Sequence, residues 1–478
     1  MLRRAKIVAT LGPATDELDV LVEMCRAGLD VARVNFSHGT PADHTRRIAL
    51  LREAAALTAR HVAILGDLAG PKIRIESFAD GPVQLLPGAA FALDTALGKT
   101  AGNPREVGVA YKELVADVAA GDTLLLNDGL IVLQVLSVAG TRIETRVIDG
   151  GELSNRKGLN RKGGGISAPA LTNKDREDIR FAVAQQLDYL ALSFVRDAAD
   201  IHQARELLRA AGGEAIRLVA KIERHEAVAQ LSGIVEATDV VMVARGDLGV
   251  EMGHAALTGL QKTIIHETRR RNRVVITATQ MMESMVQNPV PTRAEVSDVA
   301  NAVLDGSDAV MLSAETAAGK YPVKAVAAMA EVIGGAETYH LSQRAPRERA
   351  PLNFAETEQA IAHAVMYTAN HLHVRAIVAL TESGATTLWM SRLRSDIPIY
   401  AFTRHAGTRR RVTLYRGVYP VSFDVEPDAR EPLFRQVFAM LLELQLVDEG
   451  DQIILTKGEL TGVQGGTNSL QILRVSRE

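Results

Sequence analysis

The chain has 478 residues, more than one hydrophobic core usually holds, so we expect two or three domains. Hydrophobic residues make up 47% of it and the formal net charge is −3, so no general attraction to nucleic acid or to an anionic membrane is expected. A single cysteine, Cys25, excludes an internal disulfide bond, and no apolar run reaches the roughly 20 residues of a membrane span, so we expect a cytoplasmic protein.

Short apolar runs that predict β-strands recur along the chain, and helix-like segments follow most of them. The predicted strands of this part are 6–11, 30–36, 61–67, 188–194, 217–223, 239–244, 273–279 and 308–313. Alternating strands and helices are typical of parallel βα units, and eight such units fit a closed (β/α)8 TIM barrel.

The spacing of the strands is interrupted once, by a long insertion between the third and the fourth. Turn signals indicate short strands there; they lie at Pro87-Gly88, Gly121-Asp122, Asn127-Asp128-Gly129 and Ala139-Gly140. We expect an inserted β-barrel lid domain over 72–169, with the catalytic barrel formed by 1–71 and 170–341. Such a lid would exclude water from the active face, and a passive insertion is the alternative.

A polar stretch with two prolines, 342–351, predicts a linker, and the chain beyond it predicts a separate α/β domain over 352–478. Its predicted strands are 374–380, 397–402, 418–423, 452–456 and 470–475. The first of them runs into Thr381-Glu382-Ser383-Gly384-Ala385-Thr386-Thr387. Hydroxyl groups and a glycine at a strand-to-helix turn suit a phosphate group, and an ordinary N-cap turn is the alternative.

Charged side chains stand where two consecutive predicted strands of the barrel end. Lys221 and Glu223 close the fifth strand, and Asp247 follows the sixth. Neighbouring strands lie about 5 Å apart, so these three side chains are expected to converge. Two carboxylates and an ammonium group suit a divalent metal ion and a phosphate, and a structural ion-pair cluster is the alternative.

Several longer motifs, in order along the chain, resemble the pyruvate kinase family over essentially the whole length. They are VARVNFSHG (31–39), GDLAGPKIR (66–74), AKIE (220–223), ARGDLGVE (244–251), TATQMMESM (277–285), PTRAE (291–295) and MLSAET (311–316). The resemblance implies a barrel, a lid and a C-terminal α/β domain, and a homotetramer. It also implies transfer of the phosphoryl group of phosphoenolpyruvate to ADP, which gives pyruvate and ATP in glycolysis.

The resemblance also implies site residues. Glu223 and Asp247 would hold Mg²⁺ or Mn²⁺, and Lys221 would meet negative charge on the phosphoryl group, with a salt bridge to Glu223 as the alternative. The implied catalytic and substrate-binding residues are Arg33, Lys72, Arg74, Lys221, Gly246, Asp247 and Thr279. The implied nucleotide contacts are Asn35, Ser37, His38, Arg74 and Lys157.

One departure from the family pattern concerns a monovalent cation. Many family members need K⁺ and carry glutamate where this chain has Lys72, and threonine where it has Leu68. The ammonium group of Lys72 would supply the positive charge that K⁺ otherwise brings. We therefore expect activity without added K⁺.

The C-terminal domain resembles the regulatory domain of the family, and the effector phosphate is expected at Thr381, Ser383, Gly384 and Thr386. The later loop, 456–466, lacks the tryptophan and the arginine of relatives that respond to fructose-1,6-bisphosphate. A sugar monophosphate or AMP is therefore the expected activator.

Parts of the sequence are also compatible with two other functions. A metal-dependent carbon–carbon lyase on a barrel could share Glu223 and Asp247, but it would not need Lys221 or a nucleotide contact. A metabolite sensor that kept the fold would not need the catalytic side chains, which are all present.

Overall fold

The computed structural model describes residues 2–342, 354, 356–393, 395–424, 432–458 and 466–477. Of the predicted linker at 342–351, only residue 342 is among the described residues. Most of the loop at 456–466 also lies outside them.

The chain begins with three strands of the barrel. They are β1 (Lys6–Thr10), β2 (Val31–Asn35) and β3 (Ala63–Asp67), and they alternate with a 3-10 turn at Pro13–Thr15 and with the helices α1 (Leu18–Ala27) and α2 (Pro41–Leu57). Helix α2 begins where the sequence supplies a capping box, because the side chain of Thr40 accepts a hydrogen bond from the backbone nitrogen of Asp43. Helix α1 ends at Gly28, whose φ of 115° is left-handed.

The insertion after β3 is a β domain. Its strands are β4 (Val83–Leu85), β5 (Ala90–Asp94), β6 (Glu106–Gly108), β7 (Thr123–Leu126), β8 (Ile131–Ala139), β9 (Arg142–Asp149), β10 (Gly151–Leu153) and β11 (Leu159–Arg161), with one short helix, α3 (Leu114–Asp117). Six strands form a sheet in the order β11-β7-β8-β9-β5-β6, and β10 pairs with β4. Buried and exposed side chains alternate along β8, as expected of an antiparallel strand with one face on a core.

The barrel resumes with five more strands. They are β12 (Tyr189–Leu192), β13 (Arg217–Ile222), β14 (Val240–Ala244), β15 (Val274–Ala278) and β16 (Ala309–Leu312). The helices among and after them are α4 (Asn173–Ala184), α5 (Ala198–Ala210), α6 (His225–Ala229), α7 (Leu231–Ala237), α8 (Arg245–Met252), α9 (His254–Arg270), α10 (Arg293–Asp305), α11 (Ala314–Ala317) and α12 (Pro322–Ser342), with a 3-10 turn at Glu283–Val286. Helix α4 begins at a capping box, since the side chain of Thr172 accepts a hydrogen bond from the backbone nitrogen of Asp175.

The eight parallel strands close into a barrel in the order β1-β16-β15-β14-β13-β12-β3-β2, which confirms the predicted (β/α)8 fold. Strands such as β14 are buried at every position, as their uninterrupted apolar sequences indicate. All eight C-terminal strand ends therefore open on one face, where barrel enzymes hold their active sites.

The C-terminal part is a separate α/β layer, as predicted. Its elements are α13 (Thr357–His371), β17 (Ala376–Leu380), α14 (Ala385–Arg392), β18 (Ile399–Thr403), α15 (Ala406–Val412), β19 (Val418–Ser422), α16 (Leu433–Glu443), β20 (Gln452–Gly458) and β21 (Thr467–Arg474). The sheet order is β19-β18-β17-β20-β21, and only β21 runs antiparallel to its neighbour.

The C-terminal domain packs on the N-terminal end of the barrel, opposite the active face. The hydroxyl of Tyr189, at the start of β12, donates to the carbonyl of Arg411, and the guanidinium of Arg392 bonds to the buried carboxylate of Asp308. Within the described part of the chain, no helix has both the length and the apolar character needed to cross a membrane.

Candidate active site

The side chains that follow β13 and β14 meet, as the sequence predicted. The two strands are hydrogen-bonded neighbours with Lys221 opposite Met242. The Nζ atom of Lys221 lies 2.8 Å from Oε1 of Glu223, so the ion pair considered as an alternative is present. Both side chains are largely buried. The pair belongs to a larger charged cluster on the active face.

That cluster is organised by Asp67, which ends the third predicted strand and to which the sequence assigned no role. Its Oδ2 atom accepts a hydrogen bond of 2.7 Å from Nε of Arg33, and its Oδ1 atom lies 3.4 Å from Nζ of Lys221. Nζ of Lys221 also donates to Oγ of Ser193 at 2.7 Å. Asp67 ends β3 and Ser193 follows β12, so both stand at polar strand ends, which is the signal that could have identified them.

Burial and charge set the protonation of this cluster. Burial acts to lower the pKa of Lys221, but the carboxylates of Asp67 and Glu223 outweigh it and raise that pKa above the ordinary lysine value. Burial acts to raise the pKa of Asp67, but Lys221 and Arg33 hold it below the ordinary value. Lys221 is therefore an ammonium group and Asp67 a carboxylate at neutral pH.

Glu223 and Asp247 have the donor chemistry of a Mg²⁺ site. Burial, with the nearby carboxylate of Asp247, raises the pKa of Glu223 even though Lys221 opposes this. A divalent cation between two carboxylates that repel each other would remove that cost. Among the described residues, no group of three or more His, Cys, Asp or Glu side chains is arranged to hold a metal, but Mg²⁺ commonly takes one or two carboxylates together with substrate oxygens and water.

Lys72, at the beginning of the inserted domain, reaches the carboxylate of Asp247. Its Nζ atom lies 3.1 Å from Oδ1 of Asp247. Leu68, the other position that departs from the family pattern, is buried and offers its backbone carbonyl to the hydroxyl of Ser193. An ammonium group thus lies next to the carboxylate of Asp247.

Thr279 follows β15 in an unusual backbone conformation. Its φ is 66°, in the left-handed region that disfavours β-branched residues. Its Oγ1 accepts a hydrogen bond of 2.9 Å from the backbone nitrogen of Gly246, and the guanidinium of Arg245 donates to the Thr279 carbonyl at 2.7 Å. The strand ends at Ala278, so Thr279 does not merely close it; its contacts hold the Arg245–Gly246 turn and the end of β15 together.

The residues expected at the nucleotide lie in two groups. Asn35 ends β2, its side-chain oxygen accepts from the nitrogen of Ser37, and the exposed His38 follows in the same turn. Asn35 is paired in register with Asp67, so this turn borders the charged cluster. The second group, Arg74 and Lys157, lies where the lid joins the barrel.

At that junction the chain leaves the barrel and returns to it side by side. Arg74 forms an isolated antiparallel bridge with Gly158 and its guanidinium donates to the carbonyl of Arg156 at 3.0 Å. The backbone nitrogen of Ile75 donates to the carbonyl of Lys157. Arg74 and Lys157 are therefore close to each other where the inserted domain joins the barrel. Among the described hydrogen bonds, none joins them directly to the Lys221 cluster.

A second set of contacts binds the returning lid segment to the barrel. The guanidinium of Arg224 donates to the carbonyl of Ile166 at 2.7 Å, and the carboxylate of Glu226 accepts from the nitrogen of Gly165 at 2.6 Å. Glu251 is buried between the backbone nitrogen of His225 and the amide of Asn160. Burial raises the pKa of Glu251 to about 7, so this carboxyl group titrates near neutral pH.

The loop expected to hold an effector phosphate is a compact turn before α14. Oγ1 of Thr381 accepts from the nitrogen of Gly384, and Oγ of Ser383 accepts from the nitrogen of Ala385. Thr386 is buried, with its hydroxyl 2.7 Å from that of Thr467. These bonds are compatible with an ordinary N-cap turn and with a phosphate-binding turn.

The closed (β/α)8 barrel with an inserted β domain gathers three carboxylates, of Asp67, Glu223 and Asp247, around Lys221 at its strand ends. This arrangement is typical of barrel enzymes that act on phosphorylated substrates. The family models described as pyruvate kinase, barrel domain, and pyruvate kinase, alpha/beta domain, match residues 2–326 and 359–473. The chain belongs to the pyruvate kinase family, and it transfers the phosphoryl group of phosphoenolpyruvate to ADP.

Curated relatives agree along the whole chain. It is 53% identical over 478 residues to pyruvate kinase II of Salmonella typhimurium strain LT2, covering 99% of both chains. It is 50% identical over 461 residues to a pyruvate kinase of Haemophilus influenzae, covering 96% of both. It is 43% identical over 479 residues to a pyruvate kinase of Geobacillus stearothermophilus, covering 100% of this chain and 81% of that relative.

Proposed function

We propose that Glu223 and Asp247 hold the divalent ion, Mg²⁺ or Mn²⁺, on which the transfer depends. The observation that supports this most directly is that the two carboxylates repel each other at the ends of neighbouring strands. When bound, such an ion supplies positive charge that stabilises the phosphoryl group and the enolate of the departing pyruvate. Lys221 pairs with one carboxylate oxygen of Glu223, and the backbone nitrogen of Phe194 donates to the other. The two contacts together fix the orientation of this carboxylate.

Lys221 and Arg33 are assigned to the phosphoryl group in transit. Asp67 holds both cations side by side, because its two oxygens face Nε of Arg33 and Nζ of Lys221. Two fixed positive charges in a buried cluster stabilise negative charge that develops on the transferring group without having to reorganise. Arg74 is assigned to the same phosphates from the hinge side.

Thr279 and Gly246 are assigned to the pyruvate end of the substrate. The bond between the Gly246 nitrogen and the Thr279 hydroxyl brings a backbone segment and a hydroxyl group to the mouth of the barrel next to Asp247. Gly246 has no side chain, so substrate can approach this turn closely. The Thr279 hydroxyl would bond the substrate near the carbon that becomes the methyl group.

Nucleotide binding is assigned to the two groups that flank the cluster. Asn35, Ser37 and His38 border it from β2, and Arg74 with Lys157 borders it from the lid hinge. A nucleoside diphosphate between these two groups would contact both the barrel and the inserted domain. Lid closure would then exclude water, which competes with ADP as phosphoryl acceptor.

The decisive assay measures pyruvate formation from phosphoenolpyruvate with and without ADP, in Mg²⁺ and in EDTA. Turnover should require ADP and the metal. Lys221→Gln should lower kcat by at least about 100-fold, as expected when a charge that stabilises the transition state is removed. Lys99→Gln, at an exposed lid lysine, is the matched control. Pyruvate formation without ADP, or full activity of Lys221→Gln, would overturn the assignments.

Lys72 is assigned the role of a built-in monovalent cation, so K⁺ is not required. Support comes from its distance of 3.1 Å to Asp247 and from the apolar Leu68, where the family pattern of many K⁺-dependent members has threonine. The test is turnover in a K⁺-free buffer with tetramethylammonium as counter-ion. Strong activation by added K⁺ would overturn this role.

Allosteric activation by a sugar monophosphate or AMP is assigned to Thr381, Ser383, Gly384 and Thr386. The neighbouring Arg404 adds positive charge, although its guanidinium lies 3.8 Å from Glu382 of the same loop. Activity at low phosphoenolpyruvate should rise with one of these effectors and not in a Ser383→Asp variant, whose added carboxylate repels phosphate. No response to any effector would remove this role.

A homotetramer in the cytoplasm, with the domain limits expected from the sequence, completes the proposal. Light scattering should give four times the mass of the 51.4 kDa chain. Limited proteolysis should cut first near residues 72, 169 and 342–351, where the expected domains meet. A monomer in solution would contradict the assembly, and cleavage elsewhere would contradict the limits.

A further inference from the structure

A cleft of about 210 Å³ lies between the barrel and the C-terminal domain, on the side away from the active face. The end of α2 and the start of β3 form one wall, and α15 forms the other. We call it the interdomain cleft; its polar lining residues are Arg52, Arg60, His61 and Arg410. The proposed reaction and the effector loop use none of these side chains.

The lining of the cleft is cationic. Three of its lining side chains are guanidinium groups, and no carboxylate lines it. Arg410 is paired with Asp188 at 3.0 Å, and Arg60 lies 3.6 Å from Asp30. Both carboxylates stand outside the lining.

Arg52 has a different kind of partner. Its Nη2 atom donates to the carbonyl of Gln185 at 2.6 Å, and none of the ion pairs found among the described residues includes it. A carbonyl oxygen carries no formal charge, so only the carboxylate of Asp188, which is already paired with Arg410, offsets the positive charge of Arg52. The cleft therefore holds more cationic than anionic charge.

Effects on neighbouring groups show the same excess of positive charge. Burial, together with the charges of Arg409, Arg410 and Arg60, lowers the pKa of His61 to about 4. Burial and then the charge of Arg410 lower the pKa of Arg52. Nε of Arg409, next to the cleft, is buried and lacks a hydrogen-bond partner within the described structure. Arginine side chains gathered this closely repel one another, and Asp188 and Asp30 offset only part of their charge, so an anionic ligand would stabilise the cluster.

We propose that the interdomain cleft binds a small dianionic phosphate ester, at a site separate from the Thr381–Thr387 loop. Guanidinium groups present paired donors that match phosphate oxygens, and arginine is the residue that proteins favour for this contact. A volume of about 210 Å³ is below that of typical drug-sized sites and suits a small metabolite rather than a dinucleotide.

The position of the cleft gives such a ligand a structural consequence. It would contact Arg52 and His61 of the barrel and Arg410 of α15 together. Helix α15 also bears on the effector loop, because the hydroxyl of Thr408 donates to the carbonyl of Glu382 at 2.8 Å. A ligand in the cleft would therefore hold the two domains to each other and support the loop from behind.

Binding of radiolabelled orthophosphate and of glycerol phosphate, followed by equilibrium dialysis at constant ionic strength, tests the proposal. Arg52→Ala should weaken one class of site about tenfold or more, and Arg52→Lys should fall between, because it keeps the charge and loses the fork. Arg46→Ala is the matched control, since Arg46 lies on the same helix, is half exposed and pairs with Asp16. Equal curves for wild type, Arg52→Ala and Arg46→Ala would overturn the site.

Two further results separate the source of the phosphate from a general charge effect. Glycerol phosphate should bind more tightly than orthophosphate; if it does not, the assignment to an ester is wrong. In chains with labelled histidine, and with His61→Gln to assign the signal, saturating glycerol phosphate should raise the pKa of His61 from about 4. An unchanged His61 titration would overturn the position of the ligand. None of these measurements depends on catalytic activity.

Discussion

The Nζ atom of Lys72 lies 3.1 Å from Oδ1 and 3.4 Å from Oδ2 of Asp247, although 175 residues separate them along the chain. The first residues of the inserted domain thus bring the side chain of Lys72 to one of the two carboxylates assigned to the metal. A lysine here offsets part of the negative charge that Glu223 and Asp247 place on the active face. That arrangement leads to the first prediction.

Replacing Lys72 by glutamate should make the enzyme dependent on K⁺. In tetramethylammonium buffer the Lys72→Glu variant should lose turnover by roughly 10- to 100-fold, because a charge reversal a few ångströms from Asp247 costs several kcal/mol at most and about 1.4 kcal/mol is a factor of ten. Added K⁺ should restore most of the loss. The measurement is kcat against K⁺ concentration.

Lys72→Met is the control for this change, since it removes the ammonium group without adding a carboxylate. Its activity should fall, and K⁺ should restore it poorly because no oxygen ligand has been gained. If Lys72→Glu proves as indifferent to K⁺ as the wild type, Lys72 does not replace the ion.

Asp67→Asn should separate the two cations that Asp67 holds. The buried carboxylate bonds to Arg33 and Lys221, and removal of one partner from a buried ion pair commonly costs about 3–5 kcal/mol. We expect kcat to fall at least about 100-fold. The pKa of Lys221 should also fall, because Asp67 is the strongest influence raising it, so activity at alkaline pH should be lost at a lower pH than in the wild type.

A purely structural role would not move that alkaline limit. Asp200→Asn is the matched control, because Asp200 is likewise buried and paired with Arg196 at 2.9 Å, away from the cluster. It should lower stability and leave the pH profile of kcat in place. Equal shifts in both variants would contradict the role of Asp67.

Two substitutions at Thr279 should separate the contribution of its hydroxyl group to activity from that of its methyl group. Thr279→Val leaves the Gly246 nitrogen without an acceptor and should lower kcat by about 10- to 100-fold, the equivalent of 1–3 kcal/mol for an unsatisfied buried donor. Thr279→Ser keeps the acceptor and removes β-branching at a left-handed φ of 66°. It should keep most of the activity and melt no lower than the wild type. Loss of activity in both variants would point to the methyl group instead.

The sequence predicted the elements whose signal is local. All eight barrel strands lie within two residues of the predicted limits, because runs such as Val240–Ala244 are apolar throughout and end in charge. The convergence of Lys221, Glu223 and Asp247 was also predictable, since strand order alone brings neighbouring ends together.

Features that depend on distant contacts or on strain were not predictable. Asp67 and Ser193 are polar residues at strand ends like several others, and only the closed barrel shows that both bond to Lys221. The left-handed conformation of Thr279 runs against its own preference, so tertiary contacts with Arg245 and Gly246 must impose it. The interdomain cleft joins segments about 350 residues apart, which no local pattern records.

Glu251 and Glu226, which both bind the returning lid segment, should respond to pH in opposite directions. Burial raises the pKa of Glu251 from 4.5 to about 7, so the folded chain holds a proton there that the unfolded chain has lost. Its contribution to stability is full below about pH 4.5 and falls by about 3 kcal/mol as the pH rises to about 7. Glu251→Gln should therefore raise the apparent melting temperature at pH 8 relative to wild type, and by less at pH 5.

Glu226 supplies the comparison. Burial acts to raise its pKa, but the Gly165 nitrogen and Arg224 outweigh this and lower it, so the ionised carboxylate stabilises the fold. That contribution is present above the unfolded pKa and is lost as the pH falls through the lowered folded value. Glu226→Gln should therefore melt below the wild type at pH 8, with a difference that shrinks on acidification. Calorimetry at one scan rate on both variants checks the pair, and parallel slopes against pH would show that the lid contacts do not titrate in this way.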